Sequence, residues 1–225
     1  MGAKAGFFSR VLRWGRPRPA ALAPVRPARG DDSGYYATQF LDRHEDTRLY
    51  VPWSHRAPDL KARPHDPALG IAALVRLLSQ DRSLAVLGEK NLGVLGGYLE
   101  YVELDAGKRI IGQDEQGDYL LIVLQGAVAD ERTQPAGAKV RLGESRAGDV
   151  LGELSMLDGG TRFCSCHALS PVTLAVLSQP VLERLLVEEP RPAAALLMWV
   201  AKRLSLRLRQ VSARLSVLLT RLPAP

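Results

Sequence analysis

The chain has 225 residues, of which 46% are hydrophobic and 24% are charged, as in an ordinary globular protein. No apolar stretch approaches about 18 residues, which excludes a membrane-spanning helix. Two cysteines that lie only two positions apart exclude a disulfide framework. We therefore expect a reducing, cytoplasmic location.

The net charge of +6 comes from the two ends of the chain. Residues 1–30 and residues 190–225 each carry seven basic groups and no acidic group. The remaining 16 basic groups lie in residues 31–189 with all 24 acidic groups, a balance of −8. Because nucleic-acid-binding domains concentrate positive charge on the fold itself, we expect no sequence-specific DNA binding here.

The first 66 residues are predicted to form no core. Prolines alternating with arginine and alanine predict a disordered tail over residues 1–34. The basic amphipathic segment 5–14 has the pattern of a membrane or partner anchor, and we favour the alternative of a frayed tail. Aromatic residues and prolines in 35–66 predict a loop-rich arm laid on the domain. Its histidines lack the spacing of metal ligands.

Helical periodicity begins at residue 67. In PALGIAALVRLLS the residues Leu69, Ala72, Ala73 and Leu77 recur at intervals of three and four, which predicts an amphipathic helix. A second helix is expected at about residues 88–99.

From residue 100 the pattern becomes one of short strands separated by glycine. The segments are YVELDAG, KRIIGQDEQG, DYLLIVLQG, AVADERT, AKVRLGES and RAGDVLGE. Such a series predicts a closed β-roll or barrel. Because YLLIVL is apolar throughout, we expect that strand to be buried on both faces.

The C-terminal part is predicted to be helical, with a short helix near 179–188, a break at Glu189-Pro190 and one long helix. Its apolar residues alternate at intervals of four and three: Leu197, Ala201, Leu204, Leu208, Val211, Leu215, Leu218 and Leu222. This heptad seam predicts a coiled-coil-like homodimer contact over Leu197–Leu222. Packing of the helix on its own domain is the alternative.

The segment GDVLGELSMLDGGTRFCSCHA, residues 148–168, carries the chemistry. A Gly-Glu pair opens a helical turn, and an arginine follows nine residues after the glutamate. Glycine lets the backbone approach a ligand, and a helix N-terminus points amides at an anion. An arginine binds phosphate oxygens, and a carboxylate accepts hydrogen bonds from a ribose hydroxyl. The combination suits a cyclic sugar phosphate.

This segment resembles the phosphate-binding cassette of cyclic-nucleotide-binding domains, as in catabolite activator proteins and kinase regulatory subunits. The resemblance extends from about residue 100 to 222, through LDAGKRIIGQDEQGDYLLIVLQGAV and SQPVLERLLVEEPRPAAALLMWVAKRL. It implies an α+β fold over 67–190: an antiparallel β-roll (a double-stranded β-helix jelly roll) with N-terminal helices and a lid helix. Residues 191–225 then form a long dimerisation helix.

The resemblance also implies the site residues. Glu153 is expected to bind the ribose 2′-hydroxyl and Arg162 the phosphate oxygens. Gly152 and the amides of Leu154, Phe163 and Cys164 are expected to line the pocket, with Arg203 and Arg207 of the long helix nearby.

Two positions depart from the family pattern. Phe163 stands where a small residue is usual, and it either crowds the phosphate or turns outward. Arg207 and Leu208 stand where activators present hydroxyl groups to the base, which leaves cyclic AMP versus cyclic GMP open. We favour cyclic AMP because the sequence resembles bacterial activators.

Other chemistry is not expected. On a strand, Cys164 and Cys166 share one face and His167 takes the other, so we predict no metal site from these three residues. We also expect no cofactor, and no enzyme, because no triad, Walker loop or carboxylate pair is present.

These observations predict a dimeric cyclic-nucleotide sensor that signals through an unidentified protein partner. Activator-type relatives continue past this helix into a helix-turn-helix domain, and we expect none here because the sequence ends at Pro225. Two alternatives remain: a fold that has lost its ligand and acts as a dimeric docking protein, and a DNA-associated regulator that uses its basic ends.

Overall fold

The structure is a computed structural model that describes residues 49–220, apart from the side chain of Ser83. The tail predicted over residues 1–34, the segment 5–14 and the seam residue Leu222 lie outside the described residues.

The helices predicted from residue 67, at about 88–99 and near 179–188, and the long C-terminal helix, are all present. The described helices are α1 Trp53–Leu60, α2 Pro67–Leu78, α3 Arg82–Ala85, α4 Gly88–Gly97, α5 Glu153–Asp158, α6 Gln179–Glu188 and α7 Pro190–Leu219. Asp66 accepts a hydrogen bond from the amide of Ala68 at 2.8 Å, and Pro67 follows it. A carboxylate cap followed by proline explains why α2 begins there.

The buried face of α2 differs from the stripe of Leu69, Ala72, Ala73 and Leu77. Gly70, Leu74 and Leu78 face the core, whereas Leu69 is 60% exposed. The reason is the close approach of Gly70 to the ring of Tyr101, where any Cβ would overlap the ring. The spacing of apolar residues cannot predict this orientation, because the contact that determines which face of the helix is buried is made by a glycine.

The arm predicted to be loop-rich contains helix α1 within its described part. Trp53 anchors this helix: it is buried, its ring meets that of Tyr119 edge-on at 5.2 Å, and its Nε1 donates to Glu100 at 3.0 Å. Pro58 lies inside the helix, so local sequence argues against helix there. Tertiary burial of Trp53 and Leu60 outweighs that local preference.

The strands form two antiparallel sheets, which confirms the predicted β-roll and α+β fold. Their bounds are β1 Arg63–Pro64, β2 Glu100–Leu104, β3 Arg109–Ile111, β4 Tyr119–Gln125, β5 Ala127–Thr133, β6 Lys139–Arg146, β7 Val150–Leu151, β8 Ser165–Ala168 and β9 Val172–Ser178. One sheet has the order β1-β2-β9-β4-β7 and the other β3-β8-β5-β6.

The core lies between the two sheets. As YLLIVL predicts, residues 119–124 of β4 are all buried. Apolar side chains of β2, β4, β8 and β9 meet in one cluster, to which α1 adds Trp53 and Leu60. The cluster fixes β4 and β7, and therefore the turn that leads into α5.

Helix α7 has two halves. Its first half packs on the domain through Ala193, Leu196, Trp199 and Val200, all of which are buried. Its second half, from residue 205 onward, is exposed throughout the described residues. At about 1.5 Å per residue the helix is roughly 45 Å long. No helix within residues 49–220 is long and apolar enough to span a membrane.

Candidate functional site

The turn between β7 and α5 places Glu153 at the start of a helix. Gly152 adopts φ +75°, a left-handed conformation that favours glycine. A Cβ at Gly152 would also overlap the guanidinium of Arg162. Both the backbone conformation and the space taken by Arg162 therefore require glycine at this position.

Glu153 is buried and paired with the long helix. Its side chain is 4% exposed, and Oε1 lies 2.8 Å from Nη1 of Arg207. Burial raises the pKa of Glu153, and the charge of Arg207 opposes that effect. In this arrangement the carboxylate accepts a hydrogen bond from a donor that enters from α7.

Arg162 is buried and has no carboxylate partner among residues 49–220. The residue is 3% exposed, Nη2 donates to the carbonyl of Tyr119 at 2.8 Å, and Nη1 donates to the carbonyl of Gly152. Its guanidinium lies 4.5 Å from the ring centre of Tyr119. It forms no ion pair with any residue in 49–220, and burial lowers its pKa.

The backbone of Arg162 is held by the loop before β4. Its amide donates to the carbonyl of Glu115 at 2.7 Å, and its carbonyl accepts from the amide of Asp114 at 2.9 Å. The Glu115 carboxylate forms a buried ion pair with Arg56 of α1 and accepts from the amide of Gly112 at 3.0 Å. The described part of the arm therefore braces the loop that positions Arg162.

The sequence gives no signal for this brace. Arg56 and Glu115 are separated by 59 positions. Neither residue belongs to a motif, and only the folded chain brings them together.

The two helix arginines lie at successive turns of α7. Nη2 of Arg207 donates to the carbonyl of Val150 at 3.2 Å, in addition to its contact with Glu153. Nη1 of Arg203 lies 3.7 Å from Oδ1 of Asp149. The structure thus brings Arg207 into the candidate site and places Arg203 on the turn before β7.

Leu154 and Phe163 are each 42% exposed. The guanidinium of Arg132 lies 4.4 Å from the ring centre of Phe163, and the carbonyl of Phe163 also accepts from Arg132. Cys164 packs partly buried against the core. All three residues are near Glu153 or Arg162 in sequence. Leu154 and Phe163 are partly exposed to solvent, whereas Cys164 packs against the core.

Cys164 and Cys166 lie together with an aspartate that sequence reasoning missed. Cys166 pairs across the sheet with Asp130 of β5, and its Sγ lies 3.4 Å from Oδ1 of Asp130. The two sulfur atoms and a carboxylate oxygen all lie within 4.8 Å of one another. Nδ1 of His167 lies 3.5 Å from Glu131 instead, so His167 takes no part in this group.

Comparisons with known proteins agree with this architecture. The family model of the cyclic nucleotide-binding domain matches residues 101–189. A solved cyclic nucleotide-binding domain from Methylobacillus flagellatus KT superposes with a TM-score of 0.67 at 25% identity, over 80% of this chain and 99% of that one.

Two curated relatives are much longer than the matched part. Lysophospholipase NTE1 of Phaeosphaeria nodorum is 29% identical over 175 residues, 76% of this chain and 11% of that protein. The CRP-like cAMP-activated global transcriptional regulator of Mycobacterium tuberculosis is 28% identical over 113 residues, 50% of each protein. The chain therefore spans half or less of the length of these relatives.

The family model covers the strands from β2 to β9, apart from Glu100, together with the turn at Gly152 and helix α6. From this agreement in fold and sequence we conclude that residues 101–189 form a domain of the cyclic nucleotide-binding family.

Proposed function

We propose that the chain is a cyclic-nucleotide sensor that binds its ligand between Glu153 and Arg162. The observation that carries this proposal is the buried guanidinium of Arg162, which has two carbonyl partners and no ion pair within the described residues. A buried charge without an ion-pair partner is costly, so an anionic ligand would offset part of a penalty that the protein already bears. A cyclic phosphate supplies that anion.

Glu153 serves the other end of the ligand in this proposal. Its carboxylate is buried and engaged by Arg207. A ribose hydroxyl that donates to Glu153 takes the place of the Arg207 donor. Ligand binding and the position of α7 are then coupled through one carboxylate.

Cyclic AMP is the preferred ligand in this proposal. The regulator of Mycobacterium tuberculosis is cAMP-activated, and its matched segment is 28% identical. We expect cyclic GMP to bind more weakly.

The proposed sensor works as a homodimer and acts on a separate protein. The seam residues Leu208, Val211, Leu215 and Leu218 are between 53% and 67% exposed. A leucine row of this length on one helix is apolar surface that a second copy would bury.

The experiment is calorimetric titration of the wild type, Arg162→Ala and Arg76→Ala with cyclic AMP and cyclic GMP. Removal of a charge-assisted contact worth about 2–3 kcal/mol weakens binding about 30- to 150-fold. Arg76 is exposed on α2 and is the matched control, which should bind as the wild type does. Equal affinities of wild type and Arg162→Ala would contradict the proposal.

A second candidate function is docking without a ligand. The ion pair between Glu153 and Arg207 favours it, because the carboxylate already has a partner inside the protein. We expect this function if millimolar cyclic AMP and cyclic GMP produce neither a heat of binding nor a shift in melting temperature.

A further inference from the structure

Three metal-binding side chains converge inside the β-roll. Cys164 and Cys166 flank one residue at the start of β8, and Asp130 faces Cys166 across the antiparallel pair of β5 and β8. Residues directly opposite in such a pair project to the same face. The sheet register therefore gathers two thiols and one carboxylate from two segments of the chain.

The distances are close to those that a thiophilic ion needs. Around a tetrahedral Zn²⁺ with Zn–S near 2.3 Å and Zn–O near 2.1 Å, sulfur and oxygen lie about 3.6 Å apart and two sulfurs about 3.8 Å apart. Here Sγ of Cys166 lies 3.4 Å from Oδ1 of Asp130, and all three donor atoms lie within 4.8 Å of one another.

Asp130 is already oriented by a neighbour. Its Oδ2 accepts from the hydroxyl of Ser145 on β6 at 2.8 Å, and Ser145 is buried. Such a partner fixes a ligating carboxylate and leaves the other oxygen for an ion. The residue opposite Asp130 on β6 is Gly143, where a Cβ would find nothing within 4 Å. Space for entry therefore exists beside the carboxylate.

We propose that Asp130, Cys164 and Cys166 form a three-ligand site for Zn²⁺, with water as the fourth ligand. Binding forms two zinc–sulfur bonds and one zinc–oxygen bond, and each thiol releases one proton to solvent. Two thiolates and one carboxylate around a divalent cation give a net charge of −1. No electron is transferred. The site goes beyond cyclic-nucleotide binding and needs neither Glu153 nor Arg162 as a ligand.

The experiment is titration of the reduced, metal-free full chain with Co²⁺ alone, followed by Zn²⁺ alone. We expect one Co²⁺ per chain, with the absorption band of thiolate-to-cobalt charge transfer, and loss of that band as Zn²⁺ displaces Co²⁺. Thiol labelling of the metal-free chain should modify Cys164, the less buried thiol, and Zn²⁺ should slow that reaction.

Variants separate the ligands from their neighbours. Cys164→Ser and Cys166→Ser should each weaken the charge-transfer band or abolish it. Asp130→Asn should keep the band but lower the affinity about tenfold or more. His167→Ala is the matched control on the same strand, and its titration should equal that of the wild type. Because Cys166 is the most buried of the three, Asp130→Asn also keeps the test decisive if Cys166→Ser does not fold.

Two results would overturn the proposal. One is cobalt binding without a charge-transfer band, or with a band that Cys164→Ser leaves unchanged. The other is no cobalt binding by the reduced wild type at millimolar Co²⁺. Arg162→Ala keeps the band while losing cyclic AMP, so failure of the zinc site and failure of the nucleotide site are distinguishable.

Discussion

At the scale of single residues, Gly152 satisfies two separate requirements. It holds φ at +75°, and it leaves room for the guanidinium of Arg162. Gly159 at the other end of α5 holds a similar φ of +72°, but a Cβ there would meet nothing within 4 Å. A comparison of the two glycines therefore distinguishes the cost of backbone strain, which both share, from the cost of the contact with Arg162, which only Gly152 has.

We predict that Gly152→Ala destabilises the protein more than Gly159→Ala does. The left-handed conformation costs alanine about 1–2 kcal/mol at either position. Only Gly152→Ala must also displace the Arg162 side chain from its buried position. Urea unfolding of both variants measures the difference in the free energy of unfolding.

The control for this prediction is Gly152→Ala combined with Arg162→Ala. The double variant should show a smaller cost of Gly152→Ala than the wild-type background does, because the obstructing side chain is absent. Equal losses of stability in Gly152→Ala and Gly159→Ala would contradict the role that the structure gives to the Arg162 contact.

At the scale of secondary-structure elements, α7 joins the domain to an exposed apolar row. Ala193, Leu196, Trp199 and Val200 hold its first half on the domain. In the second half, the seam residues from Leu208 to Leu218 are exposed in the part of the chain that the structure describes. A helix of this kind is stabilised when a second helix covers it, since helix propensity alone contributes little.

We predict that Leu208→Asp combined with Leu215→Asp converts a dimer into a folded monomer. In a dimer the two substitutions place four carboxylates in the seam, each desolvated beside like charges, at a cost of several kcal/mol. Light scattering behind a sizing column measures the mass. The wild type should give about twice 24.5 kDa, and the double variant about 24.5 kDa.

The matched control puts the same two charges on the opposite side of the helix. Leu206 and Val217 are 48% and 52% exposed and lie off the seam. Leu206→Asp combined with Val217→Asp should leave the dimer intact. A wild type that runs at the mass of one chain at micromolar concentration would contradict the seam prediction.

At the scale of the whole molecule, the sequence predicts well those strands and helices that a local periodicity encodes. The short strands from residue 100, the buried strand YLLIVL and the helix at 179–188 all follow from period and turn residues. The pair Gly152 and Glu153 is found through its motif. Each of these features is encoded in a few consecutive residues, so one sequence suffices.

Features that depend on distant partners could not be predicted in this way. The helix α1 is stabilised by burial of Trp53 on Tyr119, and the brace of Arg162 depends on Arg56 and Glu115. Asp130 joins Cys166 only because β5 pairs with β8 in a particular register. Register and tertiary burial are properties of the closed roll, and no local pattern specifies them.

The last prediction concerns coupling between the candidate site and the seam. Arg207 contacts Glu153 on the domain, and its neighbour Leu208 belongs to the seam. A ligand that replaces Arg207 at Glu153 therefore changes how α7 is held, and the two equilibria are linked.

We predict that cyclic AMP raises the melting temperature of the wild-type dimer more than that of the monomeric Leu208→Asp, Leu215→Asp variant. Both bind ligand, and binding at 100 times the dissociation constant contributes about 2.7 kcal/mol to each. In the dimer alone, ligand binding also changes the stability of the helix interface, which adds to this free energy. Thermal unfolding at matched ligand saturation measures both shifts, with the Leu206→Asp, Val217→Asp dimer expected to follow the wild type. Equal shifts in dimer and monomer would show that Arg207 does not connect the ligand to the helix pair.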